Sequence, residues 1–301
     1  MAICGAAPMP VELLRRFEAA IGVRVLEGYG LTEAGCVSSL NLPGSAARPG
    51  SIGVRLPWQR MHPVILDADG RYLRDAEIDE VGVIAVLGPN LFGGYLDATH
   101  NRDAWIERPE STGAIQLWLN TGDLGRVDAE GYFWLVGRKK ELIIRGGHNI
   151  DPRTIEEVLH QHPSVALAAA VGRPDVRAGE LPIAYVQLRP GAQASTHELR
   201  EFAESRIGER AAWPKQLRIV VALPMTAVGK IFKPALVQRE IESVVREEAE
   251  LGGVVLDALV VEHHPRLGIV EHWRAAIGAA TLRERLERYA FRNEEMTKDN
   301  T

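Results

Sequence analysis

Cysteine is nearly absent: the 301 residues contain only Cys4 and Cys36. Two isolated thiols are too few for a disulfide framework or a structural zinc site, and such usage points to a reducing compartment. Long apolar runs are missing too. No stretch approaches the ~20 apolar residues a membrane-spanning helix needs. Met1 is not followed by the charged flank and apolar run of a secretion signal. Cytoplasmic residence is the expectation, with no transmembrane segment. Nor is one sign of charge in excess. The 35 basic and 40 acidic residues leave −5 at neutral pH, which gives no reason to expect nucleic acid or an acidic membrane as a partner. What is present, 46% hydrophobic and 25% charged residues, is ordinary globular composition. The length predicts about two domains.

Local patterns divide the chain. Val11, Leu14, Phe17 and Ile21 recur at helical spacing after Pro10, and Gly22 is a stop signal. Val23 to Leu26 reads as a strand that delivers Gly28-Tyr-Gly30, a tight loop at a strand end, where open sheets bind ligands. Val64–Leu66, Val81–Leu87, Ile115–Leu119 and Tyr132–Val136 read as short strands, with Asp69-Gly70 and Glu130-Gly131 as turns, giving a small barrel or curled sheet. After Lys140 the order becomes strand, helix, strand, strand, helix, strand. Asp151-Pro152 starts a helix to about His160, Val165–Val171 and Leu181–Leu188 are strands, and Ser195 with Glu198 forms a capping box for a helix to about Ile207. Gln216–Leu223 is a further strand. A charged helix follows Pro234 to about Glu250. Beyond Gly252-Gly253 the pattern predicts a hairpin, Val254–Val261 with Leu267–Val270 around His264-Pro-Arg266, then a helix Thr281–Tyr289 and a frayed polar end from Asn293.

Four segments carry specific signals: Gly28-Tyr-Gly-Leu-Thr-Glu33, Asn120-Thr-Gly-Asp123, Gly137-Arg-Lys-Lys-Glu-Leu-Ile-Ile-Arg-Gly-Gly-His-Asn-Ile150, and Met225-Thr-Ala-Val-Gly-Lys-Ile-Phe-Lys233. In order and approximate spacing they resemble the later half of the AMP-forming adenylating enzymes, the superfamily of acyl-CoA synthetases, peptide-synthetase adenylation domains and luciferases. The resemblance implies a mixed α+β and α/β fold. Residues 1–139 would be a β-rich remnant of the large adenylate-forming domain, 140–240 a mobile α+β lid, and 241–301 an appended α/β tail.

The same resemblance implies roles. Thr32 would hold a nucleotide phosphate and Glu33 a magnesium ion, chemistry that suits a hydroxyl donor and a hard carboxylate oxygen. Gly28, Tyr29 and Gly30 would lie at the adenine, and the small residues Gly5-Ala-Ala-Pro8 would flank it. Asp123 would accept hydrogen bonds from both ribose hydroxyls, and Arg138 would touch the ribose and phosphate side. Lys140 would be the hinge, and Gly146-Gly147 would admit the pantetheine arm of coenzyme A. Lys230 would stabilise charge at the α-phosphate during adenylation. The plain alternatives are a capped turn with a solvated Glu33, a surface aspartate, an ordinary charged turn at 139–141, a glycine turn at 146–147 and a solvated lysine at 230.

Implied by resemblance, then, is an acyl-CoA synthetase that uses ATP, Mg2+ and coenzyme A to activate a carboxylic acid, a fatty acid being expected. An acyl-AMP ligase loading an acyl carrier protein uses the same motifs. The family's phosphate loop would lie before Gly28, so the expectation is an N-terminally truncated chain, and an inactive fragment that binds nucleotide weakly is the third possibility. Two departures are visible. Thr154 replaces a usual glutamate ahead of Ile155-Glu156, and Arg108–Trp118 is long for the family, which predicts a surface loop.

Overall fold

The computed structural model describes residues 1–45, 48–110, 112–227, 229–264 and 268–296, and the chain divides into two compact units, Met1–Glu141 and Leu142–Thr301. In the first, β1 (Ala2–Cys4) and β2 (Val25–Tyr29) run parallel, joined by helix α1 (Val11–Ile21). The helix stops where predicted. Gly22 adopts φ 69°, and its N–H donates to Glu18 O at 2.8 Å. Leu14 is buried, whereas Phe17 and Ile21 stay exposed. β2 continues antiparallel through β3 (Ser39–Leu40), which pairs with β4 (Val54–Arg55).

Six more strands form an antiparallel sheet: β5 (Arg60–Leu66), β6 (Tyr72–Asp75), β7 (Gly82–Leu87), β8 (Trp105–Pro109), β9 (Ile115–Val127) and β10 (Phe133–Arg138). Their order is β10-β9-β7-β5-β6, with β8 beside β9, so of the predicted alternatives the curled sheet holds and the closed barrel does not. Two hairpins share one device. In Asp67-Ala-Asp-Gly70 and Asp128-Ala-Glu-Gly131 the leading carboxylate accepts backbone N–H groups two and four residues on, at 2.8–3.0 Å, and the glycine takes φ 82° or 84°. Along β7, Ile84 and Val86 join one core with Tyr29, Met61, Leu119 and Phe133, while Val83 and Ala85 join another with Val64, Ile106 and Trp118. Burial on both faces explains the unbroken apolar run.

Among the described residues the surface loop expected at Arg108–Trp118 is not there. Those residues lie in the β8–β9 hairpin, where Ile106 pairs with Trp118 and both are buried. Its end closes through Glu110 N–H to Ala114 O at 2.8 Å and Gly113 at φ 83°. Anchoring by two large apolar side chains makes the extra length a strand pair.

The second unit opens with the hairpin β11 (Ile143–Arg145) and β12 (His148–Ile150), then α2 (Pro152–His160), β13 (Val165–Asp175), β14 (Gly179–Leu188), α3 (Thr196–Glu204), β15 (Gln216–Val220) and α4 (Lys233–Leu251). The sheet runs β12-β11-β14-β13, with β15 parallel to β14. Capping follows the sequence. Asp151 accepts from Arg153 N–H at 2.9 Å and Ser195 Oγ from Glu198 N–H at 3.1 Å. α3 ends at Glu204, short of the predicted Ile207, whose carbonyl accepts from Trp213 Nε1 at 2.9 Å.

One face of this sheet sends Val165, Ala168, Ala170, Ala184 and Val186 to Ile155 and Leu159 of α2 and Leu199 and Ala203 of α3. The other sends Ala169, Val171, Ile183 and Tyr185 to Leu236 of α4. α4 is fastened by charge as well. The buried Glu240 accepts from Arg173 Nη1 at 2.7 Å, from Arg218 Nε at 2.7 Å and from the Tyr185 hydroxyl, and Arg173 also pairs with Glu247 at 2.6 Å.

Residue 240 lies mid-helix, and α4 continues into the tail: β16 (Val255–His264), β17 (Gly268–Ile277), α5 (Ala279–Leu286) and β18 (Arg292–Glu295). The second hairpin strand is longer than predicted, reaching Ile277, and the helix sits at 279–286 rather than 281–289. The predicted His264-Pro-Arg266 turn lies outside the described residues beyond His264. A frayed end was expected from Asn293, but residues 293–295 are strand, and residues 297–301 lie outside those described. Arg292–Glu295 pairs in parallel with Val270–Trp273, because backbone bonding to a buried strand outweighs the polar composition of the segment. Trp273, Leu282, Leu286, Ile241, Val245 and Ala249 build the tail core. Among the described residues no helix is long and apolar enough to cross a membrane.

Inside the tail, Glu271 is fully buried and neither carboxyl oxygen has a hydrogen-bond partner among the described residues. Burial pushes its pKa from 4.5 up to about 8. Because the folded form holds this proton while the unfolded form releases it above 4.5, stability falls as pH rises from 4.5 towards 8 and then levels. Glu271→Gln is therefore expected to match the wild type near pH 5 and to exceed it near pH 8 by a few kcal/mol, since each step of one in pH across that window is worth about 1.4 kcal/mol. Thermal unfolding midpoints across that range check it, and parallel curves would contradict it.

Candidate active site

The turn after β2 is built by close backbone approach. A Cβ on Gly30 would sit 1.7 Å from Cys36 O, so the chain can fold back there only on glycine. Ser38 N–H donates to Tyr29 O at 2.8 Å and Cys36 N–H to Leu31 O at 3.1 Å, closing a loop that presents Thr32, exposed, and Glu33, half-buried, on one turn of 3-10 helix, Thr32–Ala34. Gly28 is also confined, with Leu40 Cδ1 at 2.9 Å from an added Cβ.

A second segment clamps this turn. Asn90 Nδ2 donates to Ala34 O at 2.6 Å, Phe92 N–H to Glu33 O at 2.8 Å, and the Tyr95 hydroxyl to Glu33 Oε1 at 2.7 Å. Burial and the Glu33 carboxylate push the Tyr95 phenol up to about 12, so it remains a donor at neutral pH. Tyr95 in turn is held by Asn101, which accepts its N–H at 2.7 Å, and by an edge-on contact with Phe92. Neither Asn90 nor Tyr95 was singled out from sequence.

Asp123 lies where β9 loses its regular pairing with β7. Gly122 takes φ 69°, Asn120 Oδ1 accepts Gly122 N–H at 3.1 Å, and the Thr121 hydroxyl donates to Ile84 O at 2.8 Å while accepting Asp123 N–H at 3.1 Å. Such an irregularity re-aims a side chain. The Asp123 carboxylate is 7% exposed; Oδ2 accepts from the Tyr29 hydroxyl at 2.5 Å and Oδ1 pairs with Arg138 Nε at 3.0 Å. Burial raises the Asp123 pKa above the ordinary carboxylate value, and the Tyr29 hydrogen bond and Arg138 oppose that rise. The Tyr29 phenol is pushed far up by burial and by Asp123. Of the predicted residues the structure thus joins Tyr29, Asp123 and Arg138 directly, with Gly28, Gly30, Thr32 and Glu33 in the adjoining turn.

Lys140 is the middle residue of the 3-10 turn Lys139–Glu141 that ends the first unit. The remaining residues belong to the second unit. Gly146 and Gly147, at φ 56° and 86°, form the two-residue turn between β11 and β12, and nothing lies within 4 Å of a Cβ added to either. Lys230 sits in a small loop closed by Thr226 N–H to Lys230 O at 2.7 Å and Lys230 N–H to Thr226 Oγ1 at 3.0 Å, after Gly229 at φ 77°. Its side chain has no ion-pair partner among the described residues. Lys233, one turn on, pairs with Glu156 at 2.9 Å.

Residues 1–96 match the family model described as AMP-binding enzyme, and residues 154–230 the one described as AMP-binding enzyme C-terminal domain. The chain belongs to the AMP-forming adenylating enzymes. Its adenylating relatives include marinolic acid–CoA ligase of Pseudoalteromonas sp. (strain SANK 73390), 47% identical over 244 residues, covering 81% of this chain and 36% of that protein. Long-chain-fatty-acid–CoA ligase of Bacillus subtilis (strain 168) is 40% identical over 243 residues, with coverages of 80% and 41%. Among solved structures, ATP-bound MatB from Rhodopseudomonas palustris superposes with TM-score 0.69 at 29% identity, covering 79% of this chain and 44% of that one. The chain thus spans about two fifths of the length of these curated relatives.

The crowding at Gly30 makes a direct prediction for this adenylating fold. Gly30→Ala is expected to destabilise by about 2 kcal/mol or more, since backbone rather than a flexible side chain must move. Gly93→Ala, where an added Cβ meets nothing within 4 Å, is the control and should be near neutral. Urea midpoints of the two variants test this, and equal values would mean the turn is not close-packed.

Proposed function

We propose that this chain is the later part of an acyl-CoA synthetase, comprising the end of the large domain to about residue 139, the lid from 140 to about 240 and an appended tail, and acting in the cytoplasm. The observation that carries the reading is the Asp123 carboxylate, buried yet left with acceptor capacity beside an exposed Arg138 and the Glu33 turn. In this reading one carboxylate oxygen of the acid attacks the α-phosphate of ATP, pyrophosphate leaves, and acyl-AMP forms. The thiol of coenzyme A then attacks the acyl carbon and AMP leaves with the bonding electrons. The names of the curated relatives favour coenzyme A over a carrier protein as acceptor, and the Bacillus subtilis relative favours a fatty acid.

Each residue has a task. Asp123 accepts the two ribose hydroxyls, Arg138 supplies positive charge at the ribose and phosphate side, and the Tyr29 ring with Gly28 and Gly30 lies along the adenine. The exposed Thr32 hydroxyl donates to a phosphate oxygen. Among the described residues no cluster of three or more His, Cys, Asp or Glu could cage a metal. That fits magnesium, which favours one or two carboxylates together with substrate phosphates, and Glu33 would give it the oxygen that Tyr95 leaves free. The ion would supply charge neutralisation on the phosphates. Lys230, an ammonium with no ion pair among the described residues, stabilises the charge growing on the α-phosphate. Lys140 is the hinge, and Gly146-Gly147 let the pantetheine chain pass close to the backbone.

With ATP and a panel of carboxylic acids the protein is expected to release pyrophosphate, and Lys230→Ala should lower acyl-AMP formation by about 100-fold or more. Thioester formation from supplied acyl-AMP should stay within about threefold, because the lysine serves the first half-reaction. Absence of pyrophosphate release would overturn the activity, and equal losses in both halves would remove the lysine from its role.

A further inference from the structure

We infer that the Tyr29 hydroxyl is a positioning group that fixes the Asp123 carboxylate for a vicinal diol, and so makes the site select ribonucleotides over nucleotides lacking both hydroxyls. The inference rests on the proposed reading that Asp123 grips the ribose, and extends it to a residue whose ring alone had a role there.

The geometry is a count of acceptor sites. An ionised carboxylate offers about four lone-pair positions. Tyr29 takes one on Oδ2 at 2.5 Å, and Arg138 takes one on Oδ1 at 3.0 Å. One position per oxygen is left, matching the two donors of a vicinal diol. The phenol and guanidinium approach different oxygens from different strands, so the carboxylate cannot rotate about its last bond without breaking one of them. Tyr29 is 9% exposed and Asp123 5%, hence water competes poorly for either contact.

Charge acts in the same direction. The groups facing the carboxylate are Tyr29 from β2, Arg138 from β10 and Glu141 from the turn that follows; the first two lower the Asp123 pKa, and burial and Glu141 raise it. Without the phenol hydrogen bond the raising effects gain, and Asp123 protonates at higher pH. A protonated carboxyl carries its own donor and loses acceptor capacity, so selectivity for the diol should disappear as pH falls.

The test is binding of AMP and 2′,3′-dideoxy-AMP to the whole chain by calorimetry, for wild type and for Tyr29→Phe, which keeps the ring. Wild type should prefer AMP by at least about tenfold. The Phe variant should lose most of that preference while its affinity for the dideoxy nucleotide stays within about twofold, and the acid limb of its AMP affinity should move to higher pH. Incorporating 3-fluorotyrosine at position 29, which preserves shape and acidifies the phenol, should move that limb the opposite way, and this arm decides the matter if the Phe variant does not fold. A preference retained in Tyr29→Phe, equal loss of both nucleotides, or an unmoved acid limb with the fluorinated residue would each overturn the positioning role alone. A wild type that does not distinguish the two nucleotides would overturn the ribose grip of Asp123, and the inference with it.

Discussion

The first unit depends on how a carboxylate is kept charged out of water. A buried ion costs several kcal/mol unless hydrogen bonds replace its solvation. Asp123 obtains them from Tyr29 and Arg138, and because β2 and β10 belong to different sheets of this unit, satisfying one side chain ties the two sheets together. The consequences run outward along β2. With Tyr29 fixed, Gly30 must turn against Cys36, and the Glu33 turn follows at a defined place, where Asn90, Phe92 and Tyr95 close on it. Stability and the candidate ribose grip therefore come from the same contacts, so selection on either acts on both.

The second unit repeats the solution once and omits it once. Glu240 is surrounded by Arg173, Arg218 and Tyr185, so α4 is locked to β13, β14 and β15 by a carboxylate whose pKa those donors hold below the ordinary value despite its burial. Glu271 is buried to a similar degree with no donor among the described residues, and its pKa goes the other way. Two glutamates in one unit thus take opposite protonation states at neutral pH. Composition does not separate them. What does is whether an arginine on another strand reaches the oxygen, a fact of three-dimensional arrangement.

That distinction also marks how far the sequence could be read. Helix starts at Asp151 and Ser195, the stop at Gly22 and the turns at Gly70 and Gly131 were legible because each is decided within five residues by a cap, a bonded aspartate or a left-handed glycine. The run Val165–Val171 was legible as a buried strand because both faces of its sheet are covered. The β8–β9 hairpin, the strand at Arg292–Glu295 and the Tyr95 contact with Glu33 were not, since each depends on a partner chosen by packing. Tyr95 and Glu33 lie 62 positions apart, and no local pattern announces such a pair. At the candidate site, the resemblance pointed to Asp123 and Glu33, whereas the groups that orient them, the Tyr29 hydroxyl and Tyr95, emerged only with the fold.

The two lysines near the end of the lid show why orientation and availability are separate problems. Lys233 opens α4 and is committed to Glu156, whose other contact, from Ala170 N–H at 2.7 Å, anchors that carboxylate to β13. A lysine bonded in this way has part of its charge already balanced and is held near its partner. Lys230 is placed by its backbone instead: Thr226 holds both its N–H and its carbonyl, and the bridge between Met225 and Ile231 closes the loop. Its position is set while its ammonium is not spent on an ion pair with any described residue. Under the proposed reading this is what the first half-reaction requires, a cation that arrives without a competing bond. A carboxylate within reach of Lys230 would steady the loop and weaken the residue for adenylation.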